Sequence, residues 1–169
     1  KYIDLPLQHA SDAVLKRMKR PGTRQSYVRL LNNIRARIPN VVLRTTFIVG
    51  FPGETAEDFA ELEGFVDEIG FDHLGVFTYS HEEGTSAFDL DDDVPEATKL
   101  ERQERLMARQ RDIVSSRQQS RLGETVRILV DGPSPEHELV LQGHDGERGV
   151  GIGQLERRTV PRHLGKIPA

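Results

Sequence analysis

Hydrophobic and polar positions alternate at the start of the chain and then change period. Ile3, Leu5 and Leu7 fall on one side of residues 2–8, and Tyr2, Asp4 and Gln8 on the other, which is a strand pattern. Pro6 has no amide donor and marks a strand end or bulge. Ser11 is placed to cap a short helix bearing Val14, Leu15 and Met18, and the run Arg20-Pro21-Gly22-Thr23 stops it. Thr23 caps a second helix, in which Tyr27, Leu30, Leu31, Ile34 and Ile38 repeat at helical spacing. Residues 41–49 are β-branched and apolar on both faces, the pattern of a strand buried on two sides in a parallel sheet.

The stretch RTTFIVGFPGET, Arg44 to Thr55, turns out of that strand at Gly50 to Gly53. Thr55 and Asp58 then have capping-box spacing. Phe59, Leu62, Phe65, Val66 and Ile69 line the face of the helix that follows, and Gly70 is placed to end it. Residues 73–80 form the next strand. Strand, helices, strand, helix, strand is the order of consecutive parallel strands joined by right-handed crossovers. A polar loop precedes a long helix from Pro95 to about Leu122, with a sparse apolar stripe of Leu100, Leu106, Met107, Ile113 and Val114. Period two then returns in TVRILVD and ELVLQG, read as strands joined through a Gly-Pro-Ser-Pro turn region. Residues from His144 onward show no clear period and are expected to be loop. The expected domains are 1–122 and 123–169.

Composition narrows this picture in three ways. A net charge of −4 argues against a dominant nucleic-acid footprint. No apolar run approaches the roughly 20 residues of a membrane helix, and no signal-peptide pattern is present, so a cytoplasmic location without membrane partners is expected. The chain has no cysteine, which removes disulfides and thiolate-held clusters from these 169 residues. It opens KYIDLPLQHASD, inside an apolar run and without Met, and is expected to be a piece of a longer protein.

Ligands of parallel α/β folds sit at the carboxyl ends of strands. Those ends are Leu7-Gln8-His9, Val49 to Gly53 and Thr78-Tyr79-Ser80. Strand parity groups Arg44, Thr46, Ile48 and Gly50 on one face, Asp4 with Gln8, and Gly75 with Phe77 and Tyr79. A buried Arg44 needs a partner, either Asp4 in a structural ion pair or the carboxylate of a small ligand. Gly50 and Gly53 serve the turn or a close ligand approach. His9 reads as a hydrogen-bonded strand-end residue, and the six histidines have no metal-ligand spacing. The acidic run Asp89 to Asp93 reads as a solvated loop, and Ser80 has no His–Asp pattern to make a triad. No catalytic side chain and no metal ligand is assigned.

Three blocks, LPLQHASDAVLKRMKRPGT, LRTTFIVGFPGET and FTYSHEEGTSA, together resemble the methylthiotransferase branch of the radical S-adenosylmethionine (SAM) enzymes from Lys1 to about Gly143. Gln8-His9-Ala10, Arg20-Pro21-Gly22 and YSHEEGT look like the RimO type, which modifies an aspartate of a small-subunit ribosomal protein, protein twelve. The tRNA-modifying MiaB type is the alternative within the family, and a non-catalytic module binding a ribosomal protein or RNA is the alternative outside it. The resemblance implies the C-terminal half of a partial (βα)₆ barrel, TIM-barrel-like, followed by a small, incomplete OB-like TRAM β-barrel that presents the substrate. It also implies SAM, 4Fe–4S clusters and an electron donor such as flavodoxin. The implied chemistry is reductive cleavage of SAM to a 5′-deoxyadenosyl radical, hydrogen abstraction and methylthio insertion.

Carried over by position, Gln8 and Arg20 resemble residues that hold the SAM ribose and methionyl carboxylate. Arg44, Thr46, Ile48 and Gly50 lie on the strand facing ribose and adenine, with Gly50 expected to admit the ligand where a Cβ would collide. Phe77 and Tyr79 are expected to border the adenine. Thr46 stands where many relatives carry Asp. The cluster cysteines of the family are absent, so the chain alone is expected to be inert. The unpaired first strand is expected to be an exposed edge. The tail GERGVGIGQLERRTVPRHLGKIPA departs from the family's usual end, as a frameshifted or divergent terminus would.

Overall fold

The structure, a computed structural model, describes residues 1–125, 128–133, 140–145 and 151–156. The chain divides into two compact units, Lys1–Gly123 and Glu124–Ala169.

In the first unit, β1 (Tyr2–Asp4), β2 (Val42–Val49) and β3 (His73–Thr78) form a parallel sheet in the order β1-β2-β3. The first strand is shorter than residues 2–8. Pro6 interrupts its ladder, and the Thr45 hydroxyl bridges the gap by donating to the Leu5 carbonyl at 2.8 Å. Pairing resumes at Gln8, whose amide donates to the Thr46 carbonyl at 2.9 Å and whose carbonyl accepts from Ile48 at 2.8 Å.

The helices begin and end where the local chemistry dictates. Ser11 caps α1 (Asp12–Arg17). Thr23 and Ser26 form a capping box on α2 (Arg24–Arg37), and Thr55 and Asp58 form one on α3 (Ala56–Ile69). Gly70 closes α3 in the left-handed region at φ +54°, a conformation that a Cβ would strain. On α2, Leu31 is buried but Leu30 is exposed, so the apolar face of that helix is narrower than its spacing suggests.

The strand β2 has two unlike faces. Leu43, Thr45, Phe47 and Val49 are buried under the helices, whereas Arg44, Thr46 and Ile48 are only partly covered. The expected burial on both sides is therefore corrected. Among the described residues, helices cover one face and leave the other open. Phe47 is the centre of the covered side, with edge-on contacts to Phe65 and Phe71 at centroid distances of 6.2 and 6.0 Å.

The long helix α4 (Glu96–Ser120) also differs from its expected packing. Its buried residues are Lys99, Arg102, Leu106 and Gln110, and Leu100 is exposed. The stripe is polar because what it meets is polar. Gln103 donates to the Val76 carbonyl at 2.8 Å, Gln110 to the Phe71 carbonyl at 3.0 Å, and Arg117 to the Gly70 carbonyl and, at 2.8 Å, to Asp72. Since β3 is an edge of its sheet, Gln103 gives the Val76 carbonyl a partner that a neighbouring strand would otherwise provide, and Gln110 and Arg117 hold the connection from α3 to β3.

In the second unit, β4 (Ile128–Pro133), β5 (Val140–Asp145) and β6 (Gly151–Glu156) pair antiparallel in sequence order. The segment from His144, expected to be loop, thus contains a strand. Its period is hidden by a register shift, for Leu141 and Gly143 pair with Leu155 and Ile152. Two positions on one strand face three on the other, so strict alternation fails. Of the expected Gly-Pro-Ser-Pro turn, Gly132 and Pro133 instead belong to β4, paired with Gln142 and Leu141; residues 134–139 and the tail beyond 156 lie outside the described residues.

Phe47→Ala removes the ring that joins β2 to α3 and is expected to destabilise the protein by about 3–5 kcal/mol. Urea unfolding of wild type and variant checks this, and a loss below about 1 kcal/mol would contradict Phe47 as the centre of the core.

Candidate functional site

The three strand ends surround a cavity of about 510 Å³ on the open side of the sheet. Gln8 lines it after β1, Met18 and Arg20 after α1, Thr46, Ile48 and Phe51 around the end of β2, and Phe77 to Ser80 at the end of β3. Thr85 and Ala87 close it from the following loop. Strand register explains the grouping, because Thr46 pairs with Gly75 and Ile48 with Phe77.

Six of the eight residues proposed from sequence therefore meet at one cavity: Gln8, Arg20, Thr46, Ile48, Phe77 and Tyr79. Gln8 is held at φ +73° by its bridge to β2. Phe77 is exposed, with its ring bare on the open face. Tyr79 is buried, edge-on to Phe51 at 5.2 Å, with its hydroxyl donating to the Ala87 carbonyl at 3.3 Å. Arg20 has no hydrogen-bond or ion-pair partner for its guanidinium among the described residues, whereas Arg17, Arg24, Arg102, Arg105, Arg109 and Arg117 all hold carboxylates.

The other two residues stand elsewhere. Arg44 is not buried and does not line the cavity; it makes an ion pair with Asp4 beside it, the structural alternative for this residue. Gly50 does not line the cavity either. It sits at φ +73°, and a Cβ there would lie 2.2 Å from Cγ of Lys99. What approaches Gly50 is the α4 side chain.

Behind the cavity lies a polar cluster that sequence reading missed. The Glu54 carboxylate is fully buried, and its Oε2 accepts from the amides of Gly50 at 2.5 Å and Phe51 at 3.1 Å. Arg102 Nη1 donates to its Oε1 at 3.0 Å. Burial pushes the Glu54 carboxyl above its ordinary range, against the pull of Arg102 and the two amides. His9 is also fully buried. Its Nδ1 accepts from the Ser11 amide at 2.9 Å, so the ring proton is on Nε2, 3.9 Å from Glu54 Oε2. Burial lowers its pKa from 6.5 to about 3, with Arg17 and Arg102 adding to the effect and Asp58 opposing it. The only sequence signal for this cluster was the spacing of Lys99, Arg102, Leu106 and Gln110 along one helix face, which a hydrophobic count passes over.

No group of three or more histidine, aspartate or glutamate side chains among the described residues could hold a metal ion, and no helix among them is long and apolar enough to cross a membrane.

A mixed polar and apolar cavity at the carboxyl ends of parallel strands is where α/β folds hold ligands, and residues 1–66 match the family model of the radical SAM superfamily. A solved structure of coproporphyrinogen III oxidase (HemN) from Escherichia coli, described as a radical SAM enzyme, is similar with a TM-score of 0.56 and 25% identity, over 66% of this chain and 26% of that one. The more particular likeness is to curated proteins named ribosomal protein uS12 methylthiotransferase RimO. The chain is 52% identical to that of Pelotomaculum thermopropionicum, over 90% of this chain and 34% of the relative. It is 52% identical to that of Aquifex aeolicus, over 84% and 33%, and 47% identical to that of Pelobacter propionicus, over 100% and 38%. It thus spans about a third of the length of these relatives. The chain fits a fragment of a RimO-type methylthiotransferase, and the resemblance read from its three sequence blocks is borne out.

His9 makes stability depend on pH in a definite direction. The unfolded chain takes up its proton near pH 6.5 and the folded chain only near pH 3, so His9 costs stability as pH falls through that window. Glu54, shifted upward, acts in the opposite sense. In His9→Asn, which keeps an acceptor for Ser11, the loss between pH 6.5 and 4.5 should be shallower by up to about 1.4 kcal/mol per pH unit. Urea unfolding at stepped pH measures this, and parallel curves for wild type and variant would contradict a buried neutral His9.

Proposed function

We propose that this chain forms one wall of the SAM site of a RimO-type methylthiotransferase, and that the whole protein methylthiolates the β-carbon of an aspartate in ribosomal protein uS12. The observation that carries the reading is Arg20, a guanidinium without a hydrogen-bond or ion-pair partner among the described residues, at a cavity whose other lining residues include Gln8, Thr46, Ile48, Phe51 and Phe77. These residues suit SAM group by group. The guanidinium fork matches a methionyl carboxylate. The Gln8 amide and the Thr46 hydroxyl offer donors and acceptors for ribose hydroxyls. Ile48, Phe51 and Phe77 offer apolar surface to an adenine ring.

The residues present do not fit an iron–sulfur cluster. Its ligands are thiolates, and these 169 residues contain none. In the whole protein, SAM beside a cluster held by residues outside this chain would supply the radical chemistry. The part of this chain is to bind and orient SAM and to shield it from water. The second unit, in this reading, belongs to a TRAM domain that presents the ribosomal protein. An electron donor such as flavodoxin and a cytoplasmic setting complete the proposal.

Calorimetry with SAM on the full-length protein tests the wall. Arg20→Ala is expected to weaken binding by about tenfold to a hundredfold, the loss of a charge-assisted hydrogen bond. Arg44→Ala, away from the cavity, should stay within about threefold. Equal affinity in Arg20→Ala would remove Arg20 from the site. The chain alone should take up no stoichiometric iron or sulfide on anaerobic reconstitution, and stoichiometric uptake would contradict the assignment of cluster ligands elsewhere.

A further inference from the structure

Arg102 lies on α4 and does not line the cavity, yet its guanidinium reaches the turn that ends β2. Nη1 donates to Glu54 Oε1 at 3.0 Å and to the Glu54 carbonyl at 3.1 Å. The other carboxylate oxygen takes the amides of Gly50 and Phe51. A continuous path of hydrogen bonds therefore runs from the helix through one carboxylate to the two amides that set the turn. Phe51 lines the cavity, and so does Ile48, two residues before Gly50.

Lys99, one helical turn earlier, reaches the second wall. Its stem occupies the space that a Cβ at Gly50 would take. Its ammonium lies 5.3 Å from the centre of the Tyr79 ring, 3.5 Å from the Tyr79 carbonyl and 2.7 Å from Asp92. Both cations are buried, with 4% of the Lys99 side chain and 10% of the Arg102 side chain exposed. Buried cations are costly, and an apolar stripe would join α4 to the sheet at least as well. What an apolar stripe would not do is hold polar backbone atoms of two strand ends at fixed positions.

We infer that Arg102 is a positioning residue for the ligand of this cavity, acting through Glu54 to hold the Gly50–Phe51 turn in its binding geometry, while Lys99 holds the end of β3. This rests on the reading of the cavity as a SAM site. It adds a helix outside the cavity to the residues that determine SAM affinity.

The test is SAM affinity of the full-length protein, with the folded fraction of each variant measured by circular dichroism. Arg102→Met is expected to weaken binding by about tenfold or more in the folded fraction, because small displacements of a binding turn are expensive. Arg102→Lys, which keeps the cation, should recover to within about threefold of wild type. Arg109→Met breaks the ion pairs of the same helix with Glu63 and Asp67 and should lower stability while leaving affinity unchanged. Where Arg102→Met does not fold, the pair Arg102→Met with Glu54→Gln leaves no uncompensated buried charge. Binding about tenfold weaker in that pair supports the inference, and wild-type affinity overturns it. Wild-type affinity in folded Arg102→Met also overturns it. Absence of SAM binding by the unsubstituted protein would instead strike the reading of the cavity itself.

Discussion

A strand that ends in a tight turn uncovers backbone amides, and buried amides must find acceptors. In this chain one carboxylate, Glu54, accepts two of them, from Gly50 and Phe51. That arrangement creates its own requirement, since a carboxylate removed from water is unfavourable unless a cation and hydrogen bonds surround it. Arg102 meets the requirement from α4, and Lys99 fills the neighbouring space that the missing Cβ of Gly50 leaves. The turn, the long helix and the cavity wall are thus parts of one constraint. It also explains why α4 faces the core with Lys99 and Arg102 where leucines would be expected.

The sheet divides its work by face. Leu43, Phe47 and Val49 join the helices and carry the core. Thr46 and Ile48, on the other side, meet Gln8, Arg20 and Phe77 at the cavity. Period two along β2 delivers both outcomes from one strand. Core packing and cavity shape are coupled through it, because the same eight residues set both.

The elements were legible in the sequence wherever local chemistry decided them. Ser11, Thr23 and Thr55 cap as their positions suggest, and Phe59, Leu62, Phe65, Val66 and Ile69 are buried as their spacing requires. Much of the cavity was legible too, because strand parity and strand ends place Gln8, Thr46, Ile48 and Phe77 together. What was not legible depends on distant partners. Arg44 has Asp4 beside it, a choice that the sequence left open. Gly50 meets Lys99 across 49 positions of chain, so its reason could not be read locally. The polar stripe of α4 is invisible to a hydrophobic count, and the register shift of β6 breaks the alternation that would have revealed a strand.

The central claim is that the open-face cavity at the strand ends binds SAM. Hydrogen exchange of the full-length protein, with and without SAM, tests it segment by segment. The account predicts SAM-dependent protection in residues 8–20, 46–53 and 77–87, and no change across the separate groove that Asp67 to Gly70 line with Arg109 to Arg117. Protection that appears in that groove and is missing from the three strand-end segments would contradict it.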